Sequence, residues 1–114
     1  MIRCVLCPAT EPAAFAALCH GWTSRTTTEP VVYRSAFSAG PFAITPAGEH
    51  HLCPACTAWL ADHRDRQLPE AVTASIAETI AGAELATETA RYLRMELVGM
   101  VRHLAEALDQ AEVP

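Results

Sequence analysis

The chain lacks lysine and asparagine altogether, and aromatic residues make up only 6% of its 114 residues. Its hydrophobic fraction of 51% consists largely of alanine, which favours helix but buries little apolar area. A chain of this length forms one domain, or one small domain with an appendage, and its core is expected to be thin. A bound metal ion is a common way to stabilise such a core.

The sequence also lacks an excess of basic charge, since its formal net charge is −5. The five arginines and five acids of residues 1–66 cancel, whereas residues 67–114 carry three arginines and eight acids. Nucleic-acid binding usually requires a basic footprint, so DNA and RNA are disfavoured as partners. The abundance of alanine and arginine without lysine is typical of a GC-rich bacterial or phage genome.

Long apolar runs are missing as well. No apolar segment follows Met1, and no uncharged apolar run approaches the ~20 residues that are needed to span a bilayer. The sequence therefore predicts a cytoplasmic protein with no membrane partner. In that compartment cysteine thiols stay reduced and remain available to bind metal.

Four of the five cysteines form two Cys-x-x-Cys pairs, Cys4 with Cys7 and Cys53 with Cys56. A two-residue spacer lets both sulfurs of a pair reach one ion from a tight turn, so each pair fills half of a tetrahedron. The sequence predicts one zinc ion bound by these four thiolates. Because four thiolates leave no open position for a reactive water, the predicted site is structural.

The first 30 residues predict an extended piece, a short helix and a loop. Residues 1–8 predict a short extended piece that ends in a metal-binding turn. A short helix is expected from Pro12 to Cys19, with Cys19 as a small buried side chain and not as a ligand. Residues 23–30 are rich in threonine and serine, and they predict a polar loop that ends at a proline.

The next segment predicts a β-hairpin and then a helix. Residues 31–37 and 42–45 are rich in strand formers, and a turn signal separates them. Residues 55–64 contain helix formers and begin within the second cysteine pair, after Cys53. His50 and His51 precede that pair, and they are expected to face solvent or to support the ligands without binding the ion.

The order of metal-binding turn, hairpin and a second pair that enters a helix resembles a treble-clef zinc finger. The resemblance covers residues 1–66 and is carried by Cys4, Cys7, Cys53 and Cys56. It implies that the second pair lies at the first turn of a helix, whose N-terminal dipole favours thiolates. A zinc ribbon is the alternative fold. Treble clefs serve many functions, so the resemblance implies a fold and no activity.

Residues 70–110 contain no proline and place apolar residues at steps of three or four, which predicts helix. One straight helix of that length would extend ~60 Å, more than a small zinc domain can cover. Either it is continuous and pairs with a second copy, which is the favoured version, or it breaks near Gly82 and folds back. Its large apolar stripe comprises Leu93, Leu97, Met100, Leu104 and Leu108.

These observations predict an α+β protein with a Cys4 zinc domain over residues 1–66 and a helical region over residues 67–114. No catalytic motif is visible, so a non-enzymatic module that binds other proteins is favoured, namely a small regulatory or accessory protein that forms a homodimer through its 70–110 helix.

Two alternatives stay open. The first is a nucleic-acid-binding zinc finger that acts in transcription and uses the arginines of the neutral half on one face, namely Arg3, Arg25, Arg34, Arg64 and Arg66. The second is a thiol oxidoreductase that uses Cys53-Pro54-Ala55-Cys56, because this motif resembles the dithiol of thioredoxin-like enzymes. The oxidoreductase requires a metal-free protein with an acidic Cys53.

Overall fold

The computed structural model describes residues 1–12, 20–35, 41–62 and 67–111, which form a small α+β protein of short strands and three helices. All strand pairs are antiparallel. The pairs are β1 (Ile2–Arg3) with β2 (Thr10–Glu11), β3 (Thr23–Thr27) with β6 (Gly48–Leu52), and β4 (Val31–Arg34) with β5 (Pro41–Thr45).

Strands β3 to β6 form a nested arrangement, because β4 and β5 lie between β3 and β6 in the chain and pair with each other. Pro30 and Pro46 lie between the inner pair and the outer pair on the two arms. A proline has no backbone N–H to donate to a ladder, so the two pairs remain separate. The result is a long hairpin whose outer end leads directly into the second cysteine pair.

The predicted hairpin is confirmed by the pairing of β4 with β5, while most of its turn, residues 36–40, lies outside the described residues. The prediction of a loop over residues 23–30 is wrong, since Thr23–Thr27 is a strand. Every residue of that strand is half-buried, so the sequence has no apolar alternation to reveal it. Most of the helix expected from Pro12 to Cys19 falls on residues 13–19, which lie outside the described part.

Three helices follow: α1 (Pro54–Ala61), α2 (Glu70–Gly82) and α3 (Thr87–Gln110). Helix α1 begins where the sequence predicts and ends at Ala61 with Asp62 as its C-cap, whereas the predicted helix extended to residue 64; residues 63 and 64 lie outside the described part. The helical region is broken after Gly82, so the favoured version of one continuous helix is wrong and the version with a break near Gly82 is confirmed. The turn is made by Ala83 and by Glu84, whose φ of 50° lies in the left-handed region.

The apolar stripe of α3 largely faces the protein's own core. Leu104 and Leu108 are buried there together with Val72 of α2, while Leu93 and Leu97 are partly buried against the same cluster. Helix α3 contacts α2 on one side and strands β3 and β4 on the other. Pairing between two copies through the 70–110 region stays a prediction. Within the part of the chain that the structure describes, no helix is both long and apolar enough to cross a membrane.

Residues from both predicted domains contribute to one hydrophobic cluster, which extends from the cysteines to α2 and α3. The predicted boundary at residues 66 and 67 adjoins residues 63–66, outside the described residues. Whether residues 1–66 and 67–114 fold separately stays a prediction.

Candidate metal centre

The first cysteine pair lies in the loop between β1 and β2. The Cys4 N–H donates to the Ala9 carbonyl at 2.9 Å, which closes this loop on itself. The Val5 N–H donates to the His51 carbonyl of β6 at 2.9 Å, and Cys4 forms a parallel bridge with His51. These bonds attach the first pair to the strand that leads into the second pair.

The second pair lies where β6 passes into α1. Cys53 is the N-cap of this helix and Pro54 occupies its first turn, where a missing N–H costs nothing. The Cys56 N–H points at the Cys53 sulfur at 3.5 Å. Thr57 helps to fix the junction, because its hydroxyl lies 2.8 Å from that of Thr23 in β3. The helix N-terminus thus faces the sulfurs, as the treble-clef resemblance implies.

The four predicted ligands converge. The sulfurs of Cys4, Cys7, Cys53 and Cys56 all lie within 4.8 Å of one another, and all four residues are buried. The Cys7 and Cys53 sulfurs are 3.6 Å apart. A tetrahedral zinc site with Zn–S bonds of about 2.3 Å has sulfur–sulfur edges of about 3.8 Å, so the cluster has the dimensions and donor type that a metal ion needs. These four cysteines are free thiols and form no disulfide.

The thiols perturb one another strongly. A hydrogen bond from Cys56 lowers the pKa of Cys4 to about 5, against the opposing effect of burial. The same hydrogen bond, with burial, raises the pKa of Cys56 far above its usual value. Burial raises the pKa of Cys7 to about 12. The metal-free cluster therefore favours a thiolate at Cys4 and resists further negative charge, which a cation would neutralise.

The other described residues with ligand chemistry stand apart from this cluster. Among the described residues, the candidate metal-binding group consists of the four cysteines alone. His50 is buried, with its Nε2 atom 3.0 Å from the Pro46 carbonyl and 3.3 Å from the Thr27 hydroxyl. His51 faces Glu49 at 3.4 Å. Cys19 lies outside the described residues, so its exclusion as a ligand stays a prediction.

The arginines of the nucleic-acid alternative are only partly described. Arg3, Arg25 and Arg34 lie on β1, β3 and β4, which belong to three separate strand pairs. Arg25 donates to the carbonyl of its neighbour Ser24 at 3.0 Å. Arg64 and Arg66 lie outside the described residues. A shared basic face stays a prediction.

Sequence reasoning assigned no role to Val5 and Leu6, the spacer of the first pair. Leu6 is 7% exposed and belongs to the core, and both side chains line a cavity beneath α2 and α3. The available signal was that both spacer positions are apolar, although a metal-binding turn needs only their backbone. Comparison with protein-family models, with curated proteins and with solved structures finds no match. The cysteine cluster therefore stands on its own geometry.

Proposed function

We propose that this protein is a non-enzymatic, zinc-stabilised module that binds other proteins, and that it serves as a small regulatory or accessory protein of a bacterium or phage. The observation that carries the proposal is the convergence of four buried cysteine sulfurs within 4.8 Å. Soft thiolate donors in a tetrahedral set select zinc or iron–sulfur chemistry. A four-thiolate zinc site is closed and serves the fold.

The burial of the cluster favours a structural site over a dithiol enzyme. Cys53 occupies the helix N-terminus that thioredoxin-like chemistry uses, but it is 4% exposed and Cys56 is fully buried. A redox substrate must reach the attacking sulfur. The sulfurs of Cys4 and Cys7 also occupy the space beside the pair, where such a substrate would have to bind.

A protein partner is supported by the apolar surface that the fold leaves uncovered. Phe42 on β5 and Tyr92 and Met95 on α3 are 40%, 44% and 57% exposed. Tyr92 and Met95 share the face of α3 that points away from the stripe, and Arg91 and Glu88 lie beside them. Large apolar side chains with mixed charges around them suit a self-complementary contact, so a second copy is the proposed first partner.

Elemental analysis of the purified chain, with its visible absorption spectrum, tests the metal. We expect about one zinc per chain and no visible absorption. If the protein instead contains iron and shows the visible absorption of an iron–sulfur cluster, the site is an iron–sulfur site and not a zinc site. A metal-free, stably folded protein would contradict the proposal.

Light scattering tests the partner. We expect a dimer mass that becomes a monomer mass in Met95→Glu. The matched control is Ala74→Glu, which places the same charge on an exposed position of α2 and should remain dimeric. If the parent protein is a monomer, the partner is another protein. It is then captured from the native host, with Met95→Glu as the negative control. Equal capture by both baits would contradict a partner at this face.

A further inference from the structure

The spacer of the first cysteine pair forms part of the surface on which the helical hairpin rests. Val5 and Leu6 line a cavity of about 220 Å³ together with Val72 and Ile76 of α2 and with Leu97 of α3. Leu6 is buried, and Val72 opposite it is 1% exposed. The same four-residue turn therefore carries two ligands of the candidate metal centre and two side chains of the core beneath the helices.

The two helices are not held equally. Helix α3 is attached to strand β4 by two polar contacts. Tyr33 Oη donates to Glu96 Oε2 at 2.9 Å, and His103 Nε2 lies 2.6 Å from the Val32 carbonyl. Helix α2 contacts α3, and it lines one cavity together with the cysteine loop. Its buried residues, Val72, Ile76 and Ile80, are all apolar. Its position therefore depends more strongly on the shape of the loop.

The shape of that loop depends on the sulfurs. Backbone bonds from Cys4 and Val5 hold one side of the loop to Ala9 and His51. The side that bears Cys7 approaches the second pair through a thiol–thiol contact of 3.6 Å with Cys53. Bonds from both sulfurs to one ion would fix that side, and the metal-free thiols supply only weak hydrogen bonds.

We propose that metal occupancy of the four cysteines controls the docking of α2. This inference rests on the proposed metal site and adds a conformational role to it. With metal bound, Val5 and Leu6 form a fixed wall and α2 stays docked. When metal is lost, the wall loosens and α2 separates while α3 remains attached to β4, which presents the apolar face of Val72, Ile76 and Ile80 to solvent.

Hydrogen exchange of the full chain, zinc-loaded and after chelation, tests this selectivity. We expect chelation to increase exchange across Glu70–Gly82 by about thirtyfold, which corresponds to the low end of the cost of truncating a buried leucine. Exchange in residues 97–108 of α3 should rise several times less. Unchanged protection of α2, or an equal loss in α2 and α3, would overturn the proposal.

Variants separate this inference from the metal assignment. Leu6→Ala in the zinc-loaded protein should keep its zinc and still increase exchange in α2. Val32→Ala is the control, because the Val32 side chain is 48% exposed on β4 and lies outside the proposed dimer face. Val5→Ala, a smaller truncation of the same wall, replaces Leu6→Ala if that variant does not fold. Unchanged exchange in α2 defeats the coupling even if zinc binds, whereas a parent protein without zinc defeats the metal site.

Discussion

Replacing Gly99 by alanine tests the contact between helix α3 and Tyr33 of strand β4. A Cβ atom at Gly99 would lie 2.7 Å from Tyr33 Oη, too close for any contact, and 3.6 Å from Tyr33 Cζ, an ordinary distance. The Oη atom is also the donor to Glu96 Oε2 at 2.9 Å. The tyrosine ring must therefore move, and we expect its hydrogen bond to weaken.

Two opposing magnitudes decide the result. Alanine in a helix interior is favoured over glycine by about 1 kcal/mol. Loss of a partly exposed hydrogen bond costs about 0.5–1.5 kcal/mol. We therefore expect Gly99→Ala to change the free energy of unfolding by about zero in the parent protein. In a Tyr33→Phe background the offending oxygen is absent, so the same substitution should stabilise by about 1 kcal/mol.

Urea unfolding of the four proteins of this cycle, at one fixed excess of zinc, measures the coupling. Gly82→Ala is the matched control, because a Cβ atom there meets nothing within 4 Å. It should stabilise equally with Tyr33 or with phenylalanine at that position. If Gly99→Ala stabilises the parent protein as much as it stabilises Tyr33→Phe, then Tyr33 does not cross α3 at Gly99 and the reasoning fails.

Three further predictions concern the metal centre and the turn between α2 and α3. Cys53→Ser should lose the metal and destabilise the fold, whereas Cys19→Ala should retain one zinc per chain by elemental analysis; substoichiometric zinc in Cys19→Ala would mean that the wrong four ligands were chosen. In the metal-free protein Cys7 and Cys56 stay protonated, and the pKa of Cys7 is raised to about 12. Zinc loading at pH 7 should therefore release protons and weaken as the pH falls. Equal calorimetric heats in buffers of different ionisation enthalpy would contradict this. Glu84→Gly should raise the free energy of unfolding by about 1 kcal/mol, since glycine adopts a positive φ without strain, and a loss of stability on thermal unfolding would refute that account.

The features that local chemistry determines could be predicted from the sequence. The two Cys-x-x-Cys pairs indicated the ligand set, and the hairpin β4–β5 followed from its strand formers and turn residues. The position of α1 followed from the helix formers after Cys53, while the low helix propensity of glycine indicated a break near Gly82 as the less favoured version. Each of these signals lies within a few residues of the structure that it specifies.

The remainder depends on contacts between distant residues. Strand β3 forms because Thr23–Thr27 finds a partner in Gly48–Leu52, and neither segment has the alternation that marks a strand by itself. The positive φ of Glu84 was not apparent from the sequence, because glycine is the residue expected in that conformation and Gly82 lies two residues earlier. The attachment of Tyr33 across Gly99 joins residues 66 positions apart, and no local pattern encodes it.

The separation of the two cysteine pairs also sets an order of events during synthesis. Cys7 and Cys53 are 46 positions apart, so at about 5–20 residues per second the first pair is made roughly 2 to 10 s before the second. During that interval the nascent chain carries a half-site, which any thiophilic ion or oxidant can reach. The second pair arrives already next to the strand that binds the first loop, and α2 and α3 follow it. The long hairpin thus delays the closure of the metal centre and, with it, completion of the surface on which the last helices settle.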